Sequence, residues 1–167
     1  SLRSFHAPSS IDIRIHQMID EIEVLYKKGL LKAALKLLHH SKKTASRHEQ
    51  HLALLKLLQW EIKLLHAPHK PIQSGNKFLQ AFNEEEEQME LYTNFRKCVR
   101  FRYEVITIHN KAIIVKEKDE KKHRAVAAEI KHLSQKKLSG KAEWQLYNAG
   151  GVYFATVGNF SQSKAYF

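Results

Sequence analysis

Two histidines in this sequence have the residue type and spacing of metal ligands. His48 and His51 are three residues apart beside Glu49, and imidazole and carboxylate groups on one face of a helix can ligate zinc. The spacing is one residue short of the His-Glu-x-x-His motif, and no third ligand can be identified. We therefore interpret the pair as the exposed polar start of a helix, and we predict no metal and no other cofactor.

The carboxylates and the thiol lack the partners that catalysis needs. The four glutamates at 84–87 have neither the alternating ligands nor the glycine of a calcium loop, so we interpret them as the start of a helix. Glu61 and Glu104 have no second acid or histidine at a predictable spacing, and Cys98 lies among apolar neighbours, which favours packing. Nucleophile elbows, phosphate loops and dinucleotide fingerprints are also missing, so we predict that the protein is not an enzyme.

The chain is strongly basic, which raises the question of an acidic partner. Its 28 Lys and Arg against 17 Asp and Glu give a formal charge of +11. Residues 95–103 interleave four cations with three aromatic residues, a mixture that can hold a nucleic-acid backbone and stack its bases. Helical geometry, however, turns most of these aromatic residues toward a core and the arginines toward its rim. Since the excess charge is spread over both ends of the chain, we favour solvated helix faces and keep nucleic-acid binding as the alternative.

The elements that carry these residues are predicted to be helices. Apolar residues recur three and four positions apart almost throughout, which predicts an all-α protein of six or seven helices. The first three are expected over residues 9–28, 30–44 and 47–65, with Gly29 forming the left-handed turn of a helical hairpin. Two prolines and a glycine within residues 66–75 predict a connection or hinge.

The second half of the chain is also predicted to be helical. Residues 76–117 contain no proline or glycine, but this length is unusual for one globular helix, so we predict two helices with a break near 83–87. The β-branched residues 105–108 have no pairing partner and are predicted to be helical. A further helix is expected over 125–133, ended by Ser139-Gly140. A second hairpin is then expected from 144–157 and 159–167, around Gly158.

The C-terminal hairpin carries a regular pattern of aromatic, glycine and small residues. The pattern is formed by Tyr147, Gly151, Phe154, Gly158, Phe160, Ser163 and Phe167. It resembles the tetratricopeptide repeat, in which glycines and small residues let two helices approach closely. A weaker form of the pattern runs from Met18 to Leu38, and residues 25–65 resemble uncharacterised bacterial helical-repeat proteins. The resemblance implies a right-handed superhelix of antiparallel hairpins whose concave face holds a peptide or a helix of another protein.

These observations predict a non-catalytic protein-interaction scaffold. We expect a single helical-repeat domain over residues 1–167, and the unfinished apolar pattern at Phe167 predicts a fragment of a longer chain. A single cysteine fits a reducing compartment, and we see no membrane span or signal peptide, so a cytoplasmic location is expected. The resemblance implies that the first helix of the last hairpin lines the binding groove, so we predict Tyr147, Asn148 and Tyr153 as partner-binding residues. Aromatic residues and arginine dominate interface energies, and we add Trp60 and Arg100 nearer the centre of the chain.

Overall fold

The computed structural model describes residues 10–67, 75–115 and 120–156, whose regular structure is entirely helical. The six helices are α1 (Ser10–Lys27), α2 (Leu31–Arg47), α3 (His51–Leu65), α4 (Gly75–Val115), α5 (Glu120–Ser134) and α6 (Gly140–Thr156). The prediction of an all-α protein is therefore confirmed, including a helical conformation for residues 105–108. Gly158 and the last predicted helix, 159–167, lie outside the described residues.

The turn between α1 and α2 depends on a left-handed glycine. Gly29 has φ +73°, and its N–H donates to the carbonyl of Tyr26 at 3.0 Å while the N–H of Leu30 donates to the carbonyl of Leu25 at 2.9 Å. This pair of hydrogen bonds is the Schellman arrangement that satisfies the last carbonyls of a helix. The predicted hairpin turn at Gly29 is therefore confirmed.

The turn between α2 and α3 has the same hydrogen bonds but a less suitable residue. The N–H of Glu49 donates to Ser46 and that of Gln50 to Ala45, at 3.0 and 2.9 Å, and Glu49 has φ +48°. A side chain in this region is strained, because its Cβ crowds the backbone. The turn also corrects our interpretation of the histidine pair: His48 is the C-cap of α2 and His51 is the first, buried residue of α3, so the two do not share one helix.

The chain divides into two compact units, Ser1–Met89 (unit 1) and Glu90–Phe167 (unit 2), and the division falls within α4. The core of unit 1 forms where α1, α2 and α3 pack together. Its fully buried apolar side chains are Ile15, Ile22, Ala34, Leu38, Ala45, Leu57, Leu58 and Leu64. The single-domain expectation stays a prediction, and most of the expected hinge at 66–75 lies outside the described residues.

Helix α4 is continuous where we predicted a break. It runs for 41 residues from Gly75 to Val115, and the four glutamates at 84–87 lie inside it rather than at a helix start. Glutamate has a high helix propensity, so the run does not interrupt a segment that lacks glycine and proline. Glu84 also contacts the Lys42 ammonium at 2.7 Å, which neutralises part of the run. The prediction of two helices over 76–117 is wrong for this reason.

Unit 2 has a core of its own, formed by residues of α4, α5 and α6. Its most buried side chains are Cys98, Phe101, Val105, Ile130, Leu133, Ala142, Leu146 and Ala149. Ser139 does not end α5, as we predicted, but caps the start of α6. Its Oγ accepts a 3.4 Å hydrogen bond from the N–H of Ala142, which is the contact expected of an N-cap serine. The buried Asn94 side chain donates to the carbonyl of Lys137 at 3.0 Å and so joins α4 to the loop before α6.

Candidate functional site

The candidate site is an exposed aromatic surface on α4 and α6 in unit 2. Trp144 and Tyr147 lie three residues apart on α6, so both project from the same face of that helix. They are 56% and 52% exposed, and Tyr103 of α4 is 60% exposed. Large aromatic side chains with this exposure keep apolar area in water that a partner can cover.

Arg102 connects the aromatic side chains of the two helices. Its guanidinium carbon lies 5.4 Å from the ring centre of Trp144 and 5.6 Å from that of Tyr103. Both distances are within the range of cation–π attraction. We call the four residues Arg102, Tyr103, Trp144 and Tyr147 the aromatic–arginine surface.

Arg102 is held by rings rather than by a carboxylate. Within the described part of the chain, its Nε is buried and has no hydrogen-bond partner, and no Asp or Glu forms an ion pair with it. The residue as a whole is only partly buried. A planar guanidinium with free N–H groups is well suited to bind a carboxylate through two parallel hydrogen bonds.

Arg100, which we predicted to bind a partner, lies in a different environment. It is exposed, and its Nε donates to Oε1 of Glu104 one turn along the helix at 2.8 Å. Both residues line a groove of about 490 Å³ between α4 and α5. Lys97 and Glu129 add one charge of each sign to the same groove, over an apolar floor that includes Phe101. The charge of Arg100 is therefore balanced locally.

Cys98 lies in the core near this groove and not in a reactive position. It is fully buried and free. Burial raises the pKa of the Cys98 thiol above its ordinary value, and the charge of Glu129 raises it further. Because the thiolate is the nucleophile, this environment suppresses its reactivity, and the predicted packing role of Cys98 is confirmed.

The remaining predicted residues are placed differently. Tyr147 belongs to the aromatic–arginine surface, and Asn148 is half-buried beside it on α6. Tyr153 is 6% exposed and packs in the core of unit 2, so its ring is not available as an anchor. Trp60 lies in unit 1, where its ring meets that of Tyr26 edge-on at 5.6 Å. Trp60 is therefore half-buried by packing between α3 and α1.

Sequence reasoning missed Trp144 and placed Arg102 and Tyr103 with nucleic-acid binding instead. The spacing of Trp144 and Tyr147 on one helix was a usable signal. No signal in the sequence indicated the contact between Arg102 and Trp144, because it joins residues of separate helices. Tertiary packing alone brings Trp144 to Arg102 and Tyr103.

Unit 1 contains an ion network around Lys42. Its ammonium contacts Oε2 of Glu61 at 2.5 Å and Oε2 of Glu84 at 2.7 Å. Burial by itself would lower the pKa of Lys42, but the hydrogen bonds and charges of the two glutamates outweigh it, so the pKa lies above its ordinary value. The network ties α2 to α3 and to the first part of α4, which is a structural role.

The chain matches no family model, no curated protein and no solved structure. Among the residues that the structure describes, no three His, Cys, Asp or Glu side chains are grouped closely enough to hold a metal ion. Within the same residues, none of the helices combines the length and the apolar character that crossing a membrane requires.

Proposed function

We propose that this protein is a non-catalytic interaction module that binds a peptide or a helix of a partner protein. The observation that carries the proposal is the aromatic–arginine surface, where three exposed rings and one arginine come together on α4 and α6. Tryptophan, tyrosine and arginine are the residue types that contribute most to interface energies. Removing one such anchor costs on the order of 2 kcal/mol, or about 30-fold in affinity.

The proposed architecture is a tetratricopeptide-like stack of helical hairpins. Support comes from each unit separately: α1 and α2 form a tight hairpin around Gly29, and α5 packs on α6 in unit 2. Hairpins of this kind bury one face against each other and leave the other face for a partner. A cytoplasmic location remains part of the proposal, since it fits the single reduced cysteine.

Two features favour a protein partner over the nucleic-acid alternative. Phe101 is buried, so it cannot stack on a base. Arg100 is paired with Glu104, and Glu129 faces the same groove, so the basic segment of α4 is not a continuous track of free cations such as a phosphate backbone needs.

The proposal is tested by selecting short random peptides from a display library on the immobilised chain. The affinity of selected peptides is then measured for the unchanged protein and for Trp144→Ala and Tyr147→Ala. We expect each substitution to weaken binding by about 10-fold or more, because each removes an exposed ring from the surface. Phe82→Ala, which removes an exposed ring from unit 1, is the matched control and leaves affinity unchanged. Peptides whose affinity is the same for all four proteins would show that the surface is not the binding site.

A further inference from the structure

The aromatic–arginine surface also indicates the chemistry of its partner, an inference that rests on the proposed function. We propose that the bound segment is acidic, with an Asp or Glu carboxylate held by Arg102 and a neighbouring apolar or aromatic side chain covering Trp144 and Tyr147. The juxtaposition that carries this inference is an arginine without a carboxylate partner between two exposed rings.

The environment of Arg102 makes it a preorganised carboxylate receptor. Cation–π attraction to Tyr103 and Trp144 favours one position of the guanidinium, so less side-chain freedom is lost when it binds a ligand. Its Nε is buried, so a ligand reaches the guanidinium at the terminal amino groups, and Arg102 forms no ion pair among the described residues. By contrast, Arg100 on the same helix already donates to Glu104. An incoming carboxylate therefore gains more at Arg102 than at Arg100.

The charge of unit 2 favours the same partner. Residues 90–167 hold 15 of the 28 Lys and Arg but only 7 of the 17 Asp and Glu. An excess of positive charge attracts acidic segments and excludes basic ones before any contact forms. On α6, Lys141 lies one turn before Trp144, so a cation also flanks the exposed rings along the helix.

A peptide explains the surface better than a nucleic acid does. Exposed rings at Tyr103, Trp144 and Tyr147 are available for stacking on bases, but a phosphate backbone also needs several free cations in a row. The surface itself contains one cation, Arg102, and Glu143 is exposed on the same helix as Trp144. A peptide with one carboxylate beside one apolar side chain can bind the arginine and cover the rings at the same time.

The test uses the peptides selected on the full chain of 167 residues. We expect Asp and Glu to be enriched beside aromatic or aliphatic residues in peptides that Trp144→Ala weakens. Changing the enriched Glu of a peptide to Gln should weaken its binding to the unchanged protein by about 10-fold. The same change should have almost no effect on binding to Arg102→Gln, since the two groups then no longer interact. Arg102→Lys keeps the charge and tests the planar guanidinium, and binding should again be about 10-fold weaker.

The matched control is Arg96→Gln, which removes the same charge from an exposed position on another face of α4. In Arg96→Gln, changing the peptide Glu to Gln should still weaken binding by about 10-fold. Two results would overturn the inference: no acidic enrichment, or an effect of the peptide Glu that is equally large in Arg102→Gln. Displacement of the peptides by an oligothymidylate that itself requires Arg102 would assign the surface to nucleic acid instead. If neither Trp144→Ala nor Tyr147→Ala weakens any peptide, the surface is not the binding site and the proposed function itself fails, so the two failures are distinguishable.

Discussion

Replacing Lys42 with methionine should destabilise unit 1 by about 2 kcal/mol. The Lys42 and Glu61 side chains are only 15% and 17% exposed, so the substitution leaves a half-buried carboxylate without its cation. Loss of one partner from a fully buried ion pair costs about 3–5 kcal/mol, and the 40% exposure of Glu84 allows water to compensate for part of that. Lys27→Met, which breaks the exposed Lys27–Glu23 pair on α1, is the control and should cost far less, because water screens an exposed pair.

The two tryptophans allow the effect to be measured in unit 1 alone. The sequence has only Trp60, in unit 1, and Trp144, in unit 2. In a Trp144→Phe background, the fluorescence of Trp60 during urea unfolding reports the free energy of unfolding of unit 1. Adding Glu61→Gln to Lys42→Met should recover part of the lost stability, because the more buried of the two uncompensated carboxylates is then gone. Equal losses for Lys42→Met and Lys27→Met would refute the reasoning.

The raised pKa of Lys42 determines how the stability that its ion pairs contribute to unit 1 depends on pH. The folded state favours the ammonium form, so the stabilisation is fully present below the ordinary value of 10.5 and is lost as the pH rises through the higher pKa of the folded state. The difference in stability between the unchanged protein and Lys42→Met should therefore be constant near neutral pH and shrink only above about pH 10.5.

Two further predictions concern the turns and the thiol. Glu49→Gly should be more stable than Glu49→Ala by about 1 kcal/mol, because both lose the side chain but only glycine tolerates φ +48°. Gly29→Ala should lower the stability of the protein by a similar amount. A Cβ at Gly29 meets no atom within 4 Å, so the loss comes from the positive φ alone. Urea unfolding measures all three, and equal stability of the two Glu49 variants would contradict the strain. Buried Cys98 should react with a thiol reagent at neutral pH about 100-fold or more slowly in the folded protein than in urea, and comparable rates would contradict its placement in the core.

The helices of unit 1 were predictable because their signals are local. Apolar spacing located α1, α2 and α3 to within a few residues, and Gly29 marked the first turn. The second turn was predicted between residues 44 and 47, a few residues too early, because Glu49 carries no such signature and adopts the left-handed conformation against its own preference. Helix α4 was divided wrongly because its length is unusual for a globular helix. The break was placed at the glutamates, and the cation that partly neutralises them, Lys42, is 42 residues from Glu84 in the chain. Pairing at that distance leaves no periodic trace in the sequence.

The candidate site was only partly predictable, for the same reason. Tyr147 and Tyr153 were both predicted to bind a partner from the first helix of the C-terminal hairpin, but Tyr147 is exposed and Tyr153 is buried. On α6 the two are six residues apart, so they point to different faces. The sequence of α6 is apolar around most of the helix, so it does not predict which face is buried. The buried face is determined by how α6 packs in unit 2.

Trp60 and Trp144 differ in exposure rather than in residue type, and exposure is what makes Trp144 the proposed anchor and Trp60 a packing residue. Each has a cation against its ring: Lys63 lies 4.5 Å from the ring centre of Trp60, and Arg102 lies 5.4 Å from that of Trp144. Lys63 also lies over Tyr26, and both rings of that cluster pack against the core of unit 1. The rings beside Arg102 are more than half exposed. In unit 1, cation–π attraction therefore joins α3 to α1 at rings whose apolar area is already buried. In unit 2, the same attraction positions an arginine among rings whose apolar area is still exposed and can be covered by a partner.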